Sequence, residues 1–597
     1  MQRLFGLILV AGIAWGQQDW PMHGLTPGET RYSPLKLINT DNVKRLGLAW
    51  AHDVGPGGGG QEGTPLESNG VLYGITNFSI VFAVDARTGK EKWRWDPEVN
   101  QAAVKPKACC GVVNRGIAMY QGLILAPVID GRIVGLNMET GKPVWEARVA
   151  YPQEGYTITM APRVAKGKVV IGVSGGDRPT RGFFMAFDAK TGKEAWRFYT
   201  VPGDPSKPFE NEAMRKAAQT WEGEWWKSGG GGAVWDGMAY DPEANLLYVG
   251  TGNAEPWPGE LRKGRKDEKE VPGRGSAGKD NLYVCSILAV NPDNGELKWY
   301  FQMSPGDSWD YDSVQGLILA DMTINGRPRK VIMQANKNGF YYVIDRTTGQ
   351  FISGQPFSQV TWAKGLDERT GRPFINPEVF YGTEAVTVTP GGGGAHNWSP
   401  MSFNPTTGLA YIPAATLNTF TYGTDSSFVG KPLTGNGTAK GAKAAVTPPP
   451  AIGPAPMEGV RGVLVAWDPA AQQLRWRTPG GGGIGGGTVT TAGNLVIQVI
   501  NDGRLMAYSA DKGEKLLEFQ TGLRSGMGPP ITYELDGKQY IALMGGVGAV
   551  TGSAGPQNAA TPFQPKLLTF VVDGTGVLDW ISAPASAPAA PQSETHN

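Results

Sequence analysis

Cysteine and histidine are nearly missing: the 597 residues hold three cysteines, Cys109, Cys110 and Cys285, and four histidines. So few thiols cannot staple a chain of this length. No C-x-x-C-H occurs, which excludes a covalently attached c-type haem. With His23 and His596 near the two ends, a histidine-rich zinc site is disfavoured as well. Charge of one sign is also lacking, since 55 Lys and Arg face 54 Asp and Glu for a net charge of +1. That balance gives no basic field to draw nucleic acid. Apolar runs are short throughout. The longest at the N-terminus, Leu4 to Trp15, falls short of the ~20 residues a membrane span needs. Placed between Arg3 and the small residues Ala14 and Gly16, it reads as a secretory leader of residues 1–16 cut before Gln17. The mature protein is therefore expected to be exported, soluble and periplasmic, without a membrane span.

What the sequence does have is repetition. AVDARTGKEKW (83–93), GLNMETGKPVW (135–145), AFDAKTGKEAW (186–196), AVNPDNGELKW (289–299) and AWDPAAQQLRW (466–476) share one pattern: a short strand, a turn, and a second strand ending in tryptophan. Weaker copies, such as VIDRTTGQFIS (343–353) and AYSADKGEKLL (507–517), fill the gaps. Repeats of about 40 to 50 residues with this content are propeller blades. The sequence predicts one all-β domain, an eight-bladed β-propeller with tryptophan-docking repeats over residues 17–582, followed by a disordered Ala/Pro-rich tail at 583–597. A row of sandwich domains would not keep the tryptophan in constant phase. Between blades, FENEAMRKAAQTWEGEWW predicts a short helix, and the charged stretch 261–280 predicts a solvated loop. Runs of four glycines, at 229–232 and 391–394 among others, predict close backbone approach near the axis. GGGGIGGG contains a literal G-x-G-x-x-G, but with no helix after it a dinucleotide site is not supported.

Cys109 and Cys110 are adjacent. Neighbouring Cα atoms lie about 3.8 Å apart, under the roughly 4.4 Å lower limit for ordinary disulfides, so a bridge between them would be a strained eight-membered ring. On this motif alone, a pair of buried free thiols stays equally open.

The segments ACCGVVNRG, TITMAPRV, SGGDRPTRGF, GGGGAVWD, GTGN, PGDSWDYD, ANKNGF and GAHNW occur in one order along the chain, after a W-x-x-H-G opening at Trp20 to Gly24. As a set they resemble the quinoprotein alcohol dehydrogenases, the pyrroloquinoline quinone (PQQ) enzymes that include methanol dehydrogenase. The resemblance implies that a ring formed by Cys109 and Cys110 covers one face of the quinone and that the Trp235 indole lies under the other. It further implies that Glu62, Arg115, Thr159, Ser174, Gly175, Gly176, Lys337, Asn397 and Trp398 contact the cofactor rim. Asp177, Asn253 and Asp310 are implied as cation ligands, and Asp310 as the general base that takes the alcohol proton. Asp310 and Asp312 flank Tyr311, so in a strand both carboxylates would face one cation. The added charge of Asp312 keeps a lanthanide open beside the expected Ca²⁺.

Four positions depart from the family pattern. Asp177 stands where glutamate is usual, Gly232 or Ala233 replaces a threonine, Lys337 stands where methanol dehydrogenases carry arginine, and Val550 where they carry tryptophan. The expected function is oxidation of an alcohol to an aldehyde by hydride transfer to metal-bound PQQ, with electrons passed to a separate cytochrome c. A non-catalytic envelope scaffold, or a PQQ dehydrogenase for sugars or polymeric alcohols, are the alternatives.

Overall fold

Strands such as Val71–Ile75 and Val81–Asp85 are rich in aliphatic and aromatic residues and buried along almost their whole length. That is the pattern of strands covered on both faces. The strand that follows them, Glu91–Trp95, is more exposed and forms a sheet edge. The computed structural model describes residues 18–581, apart from 56–58, 109–110, 264–278, 426, 428–436, 482–485, 525 and 547–563. The leader, the tail, Cys109, Cys110 and Val550 thus lie outside the described residues.

The strand pattern recurs around a central axis as eight sheets of at least four strands, the predicted eight-bladed propeller. The last blade is built from Ile531–Leu535, Lys538–Gly545 and Lys566–Val572, and it is completed by Leu46–Asp53 from the other end of the chain. Leu46–Asp53 is the outer strand of that blade, so the two ends of the chain share one sheet and the ring is closed.

The repeat's tryptophan joins neighbouring blades. Trp93 lies against Gly141 of the next blade, Trp145 against Gly192, Trp196 against Gly295, Trp299 against Gly349 and Trp476 against Gly513. Each of these glycines has a positive φ, between +69° and +76°. The indoles of Trp93, Trp196 and Trp476 also donate to the carbonyls of Met138, Pro292 and Ala510 in the facing turn. Trp50, on the strand that closes the ring, docks on Gly89 in the same way and donates to the Ala86 carbonyl. It is a further member of the repeat, hidden in the sequence because the strand that precedes its turn lies at the other end of the chain.

A Cβ at Gly192 would stand 2.4 Å from the Trp145 ring, whereas one at Gly122, φ +83°, would meet nothing within 4 Å. Gly122→Ala should therefore lose only the left-handed backbone cost, about 1–2 kcal/mol. Gly192→Ala should lose that and a further 1–3 kcal/mol of overpacking. Urea midpoints of the two variants measure the difference, and equal losses would refute tryptophan docking as the constraint on the glycine.

The segment from Trp20 to Ser33 crosses the axis behind the inner strands. Its carbonyls at Pro27, Gly28, Thr30 and Arg31 accept from Tyr240, Leu319, Phe403 and Thr490, which belong to four successive blades. The buried Arg31 side chain donates to the Thr488 and Pro530 carbonyls, and Arg163 pairs with Glu29 at 2.8 Å. The W-x-x-H-G opening is therefore part of an axial plug.

The predicted inter-blade helix is present at Glu212–Ala218, capped by the Asn211 side chain. The charged stretch 261–280 differs from expectation at its start. Arg262 is buried, and its guanidinium donates to backbone carbonyls of Pro256 and Asp307 instead of facing solvent. Of the glycine runs, 229–232 is packed against neighbouring loops: a Cβ at Gly231 would sit 2.4 Å from the Asn253 carbonyl oxygen. There the close approach is of backbone to backbone. At 391–394 the run instead reaches the axial cavity through Gly392 and Gly393.

Candidate active site

Propeller topology brings two sets of connections to one end of the axis. The first set enters the innermost strands of successive blades: Glu62 lies ahead of Leu66–Ser68, Arg115 ahead of Ala118–Tyr120 and Thr159 ahead of Arg163–Ala165. Trp235, the Asp310 to Asp312 turn, and Asn397 with Trp398 hold the same place in the next three blades. The second set joins the second and third strands of a blade. It carries Ser174 to Asp177, Asn253 and Lys337.

All fourteen of these predicted site residues line a single cavity of about 410 Å³. Cys109 and Cys110 lie outside the described residues, but their flanks Ala108 and Gly111 line the same cavity. Thr157, Lys107, Val113 and Arg178 line it too and had not been singled out from the sequence, as do Gly392 and Gly393 of the 391–394 glycine run.

On one wall, Arg115 is buried and its Nη2 lies 2.8 Å from Glu62 Oε2. Its Nη1 donates to Thr159 Oγ1 at 3.0 Å, and that hydroxyl meets Ser174 Oγ at 2.8 Å. The guanidinium carbon stands 5.1 Å from the Trp235 ring centroid and 5.3 Å from that of Trp398. Burial raises the Glu62 carboxyl above its ordinary range despite the pull of Arg115, and Asp236 adds to the rise. Arg115 Nε has no hydrogen-bond partner. That nitrogen stands 3.9 Å from Asp236 Oδ2, and a guanidinium at the rim suits a ligand bearing carboxylates.

A second charged cluster of the lining carries two carboxylates on one lysine. Lys337 is 3 % exposed, and its Nζ reaches Asp310 Oδ2 at 2.8 Å and Asp312 Oδ2 at 2.7 Å. Burial opposes the lysine's charge, but the two carboxylates outweigh it and raise its pKa. Burial also pushes the Asp310 carboxyl well up, with Asp312 and Asp177 adding to the rise and Lys337 opposing it. Asp312 is further committed: its Oδ1 accepts from the Asn253 backbone N–H at 2.8 Å and from Trp235 Nε1 at 3.2 Å. One carboxylate thus fixes the indole wall, the Asn253 loop and Lys337 together.

Asp310 is not in a strand, as the shared-face expectation assumed. Its φ is +66°, and the turn is capped by Asp307, whose Oδ1 accepts from the N–H groups of Trp309 and Tyr311. Lys337 nonetheless gathers the Asp310 and Asp312 carboxylates to one point. With Asp307 as the cap, the Asp310 side chain is left 15 % exposed at the cavity. Gly392 keeps the space beside it open, since a Cβ there would stand 3.4 Å from Asp310 Oδ2 and 3.3 Å from the Tyr422 hydroxyl.

Arg262 braces this floor from behind. Its Nη1 donates to the carbonyls of Pro256 and Trp257, Nη2 to those of Gly306 and Asp307, and Nε to Asn281 Oδ1. It ties the loop after Asn253 to the turn before Asp310.

The donor set fits a planar, polyanionic, aromatic ligand with a hard cation. The cavity size is ordinary for a small cofactor, Trp235 offers a flat wall, and Arg115 and Lys337 offer positive charge. Oxygen ligands are at hand in Asp177, Asn253 and Asp310.

Comparison with known proteins agrees. The family described as "PQQ: Glucose/ethanol/alcohol dehydrogenase, beta-propeller domain" matches residues 20–354 and 461–541. Quinohemoprotein alcohol dehydrogenase ADH IIB of Pseudomonas putida is 48 % identical over 577 residues, covering 96 % of this chain and 79 % of its own. The crystal structure of quinohemoprotein alcohol dehydrogenase from Comamonas testosteroni superposes with a TM-score of 0.83 at 41 % identity, covering 94 % of this chain and 81 % of that one. A europium-containing methanol dehydrogenase superposes with a TM-score of 0.78 at 32 % identity, covering 93 % and 98 %. With the family's domain matched over more than half the chain and a relative this similar covered for most of its length, the protein belongs to the PQQ-type alcohol dehydrogenases.

Proposed function

We propose that the protein is an exported, periplasmic enzyme that oxidises small alcohols to aldehydes with PQQ and a calcium ion, and passes the electrons to a separate cytochrome c. The observation that carries this reading is the cavity itself, where Lys337 gathers Asp310 and Asp312 beside Trp235, and Trp235 in turn lies against Arg115. Trp235 would lie under the quinone plane, with Glu62, Arg115, Thr159, Ser174, Gly175, Gly176, Asn397 and Trp398 around its rim. Asp177, Asn253 and Asp310 would hold the cation, with Asp312 beside them. Bound there, PQQ supplies a two-electron acceptor carbonyl that the cation polarises as a Lewis acid.

The chain's own residues do the rest. Asp310 stands at the open space beside Gly392, where an alcohol hydroxyl can meet its carboxylate and give up its proton. Lys337 holds that carboxylate in place through Oδ2 and keeps a donor at the cavity wall. The calcium reading rests on Asp312, whose Oδ1 is engaged by the Asn253 N–H and Trp235 Nε1 and whose Oδ2 is engaged by Lys337, so that it braces the site rather than adding a free carboxylate to the ion. The separate acceptor is part of the proposal; the P. putida relative, of which this chain covers 79 %, is named a quinohemoprotein.

The test is reconstitution. Purified protein given PQQ, CaCl₂ and a primary alcohol is expected to reduce a phenazine dye, form aldehyde and show no haem Soret band. Failure to retain PQQ together with no dye reduction would overturn the reading and favour a non-catalytic propeller. A Soret band from the polypeptide would overturn the separate-acceptor part. A panel running from methanol to sugars and polymeric alcohols reports the substrate class.

A further inference from the structure

Glu255 is a buried carboxylate with no role in the scheme above. It lies two residues after Asn253, is 0 % exposed, and neither carboxylate oxygen has a hydrogen-bond partner. Burying an uncompensated carboxylate is strongly unfavourable, so its place in a packed loop calls for a counter-charge. Arg262 is the arginine whose charge acts on it, but an arginine has five N–H donors. All five are committed to Asn281, Pro256, Trp257, Gly306 and Asp307. Arg262 thus acts on Glu255 through its charge alone, and both carboxylate oxygens are left without a direct partner.

The backbone pins Glu255 beside the residues read as cation ligands. Its N–H donates to the Gly230 carbonyl at 3.0 Å, and Ala254 bridges Gly231 in antiparallel fashion. The Asn253 side chain reaches the Asp177 loop, where Nδ2 donates to the Gly176 carbonyl at 3.3 Å. Glu255 also lies close enough to Asp177 for the two charges to repel.

We propose that Glu255 is a further carboxylate ligand of the cation held by Asp177, Asn253 and Asp310, supplying oxygen that the short Asp177 side chain does not. The inference rests on reading the cavity as a cation and quinone site. Ca²⁺ takes six to eight oxygens, so an added carboxylate fits its shell, and the added negative charge matters more for a trivalent ion. Among the described residues no three acidic, His or Cys side chains already stand at ligand spacing, so the side chains would have to close on the ion.

The test uses the full chain stripped of metal, loaded with PQQ and titrated with CaCl₂ or TbCl₃. Binding is read by calorimetry and by tryptophan-sensitised terbium emission. Glu255→Gln, which keeps the shape and removes the charge, is expected to raise the Kd about 10- to 100-fold for Ca²⁺ and more for Tb³⁺. The Tm of the metal-free variant should match or exceed that of the wild type, while the Tm gained on adding calcium shrinks. If Glu255→Gln does not fold, Glu255→Ser is read in the same way. Wild-type Kd values for both ions in a folded variant would overturn the role of Glu255 and leave the cavity reading intact. If the wild type binds neither ion with PQQ present, the cavity reading falls and this inference with it.

Discussion

Asp310→Asn is expected to lower kcat by about two to four orders of magnitude, the range lost with a general base, while KM for the alcohol changes little. At about 1.36 kcal/mol per decade this is roughly 3–5 kcal/mol of transition-state stabilisation. Asparagine keeps the size and the turn, and its carbonyl oxygen can still accept from Lys337 Nζ, which reaches Asp310 Oδ2 at 2.8 Å. What it cannot do is take a proton. Capping by Asp307 leaves the fold of the turn independent of the Asp310 carboxylate, so the Tm should hold. Activity at saturating dye, with PQQ and calcium counted per chain, checks this. A fall in bound calcium that accounts for the whole loss would reduce Asp310 to a metal ligand. Full activity would remove it from the chemistry.

The repeat was legible because blade docking needs a large indole over a glycine turn, and that need fixes both residue types at constant spacing. Trp50 escaped because the spacing rule runs within a blade and the closing blade is split between chain ends. The cavity residues were legible only as a set of motifs: nothing in the sequence says that residues 62, 115, 159, 235, 310 and 397 occupy equivalent places ahead of inner strands, and the propeller brings them together. Asp310 and Asp307 look alike in PGDSWDYD, and only the hydrogen bonds distinguish the turn cap from the cavity carboxylate. Arg262 was hidden within a charged run, where lysine and arginine ordinarily face solvent. Glu255 carried no signal at all. One glutamate among 54 acidic residues becomes unusual only when burial and the spent donors of Arg262 are seen together.

Lys337→Met should cost the metal-free protein about 3–5 kcal/mol, the usual penalty for leaving buried charge without its partner. Gly394 packs against the lysine stem, its Cβ position only 2.2 Å from Lys337 Cγ, so the methionine replaces the aliphatic part and the loss is mainly of charge. The size of the loss depends on pH. Asp310 already has a raised pKa from burial, and without Lys337 its carboxyl rises further. A group whose folded pKa lies above its unfolded value contributes stability at low pH and loses that contribution as pH climbs through the folded value. The urea-midpoint deficit of Lys337→Met against wild type should accordingly be smaller at pH 5 than at pH 8. Added calcium should narrow the gap at pH 8, because the ion supplies the missing positive charge. Activity in the loaded enzyme should fall about 10²- to 10³-fold with the loss of a preorganised donor at the cavity wall. Lys337→Arg keeps the charge at a position where related methanol dehydrogenases carry arginine, and should regain most of the stability. A deficit equal at both pH values and shared by the arginine variant would mean that Lys337 acts through packing, and that Asp310 and Asp312 are held together by their turn alone.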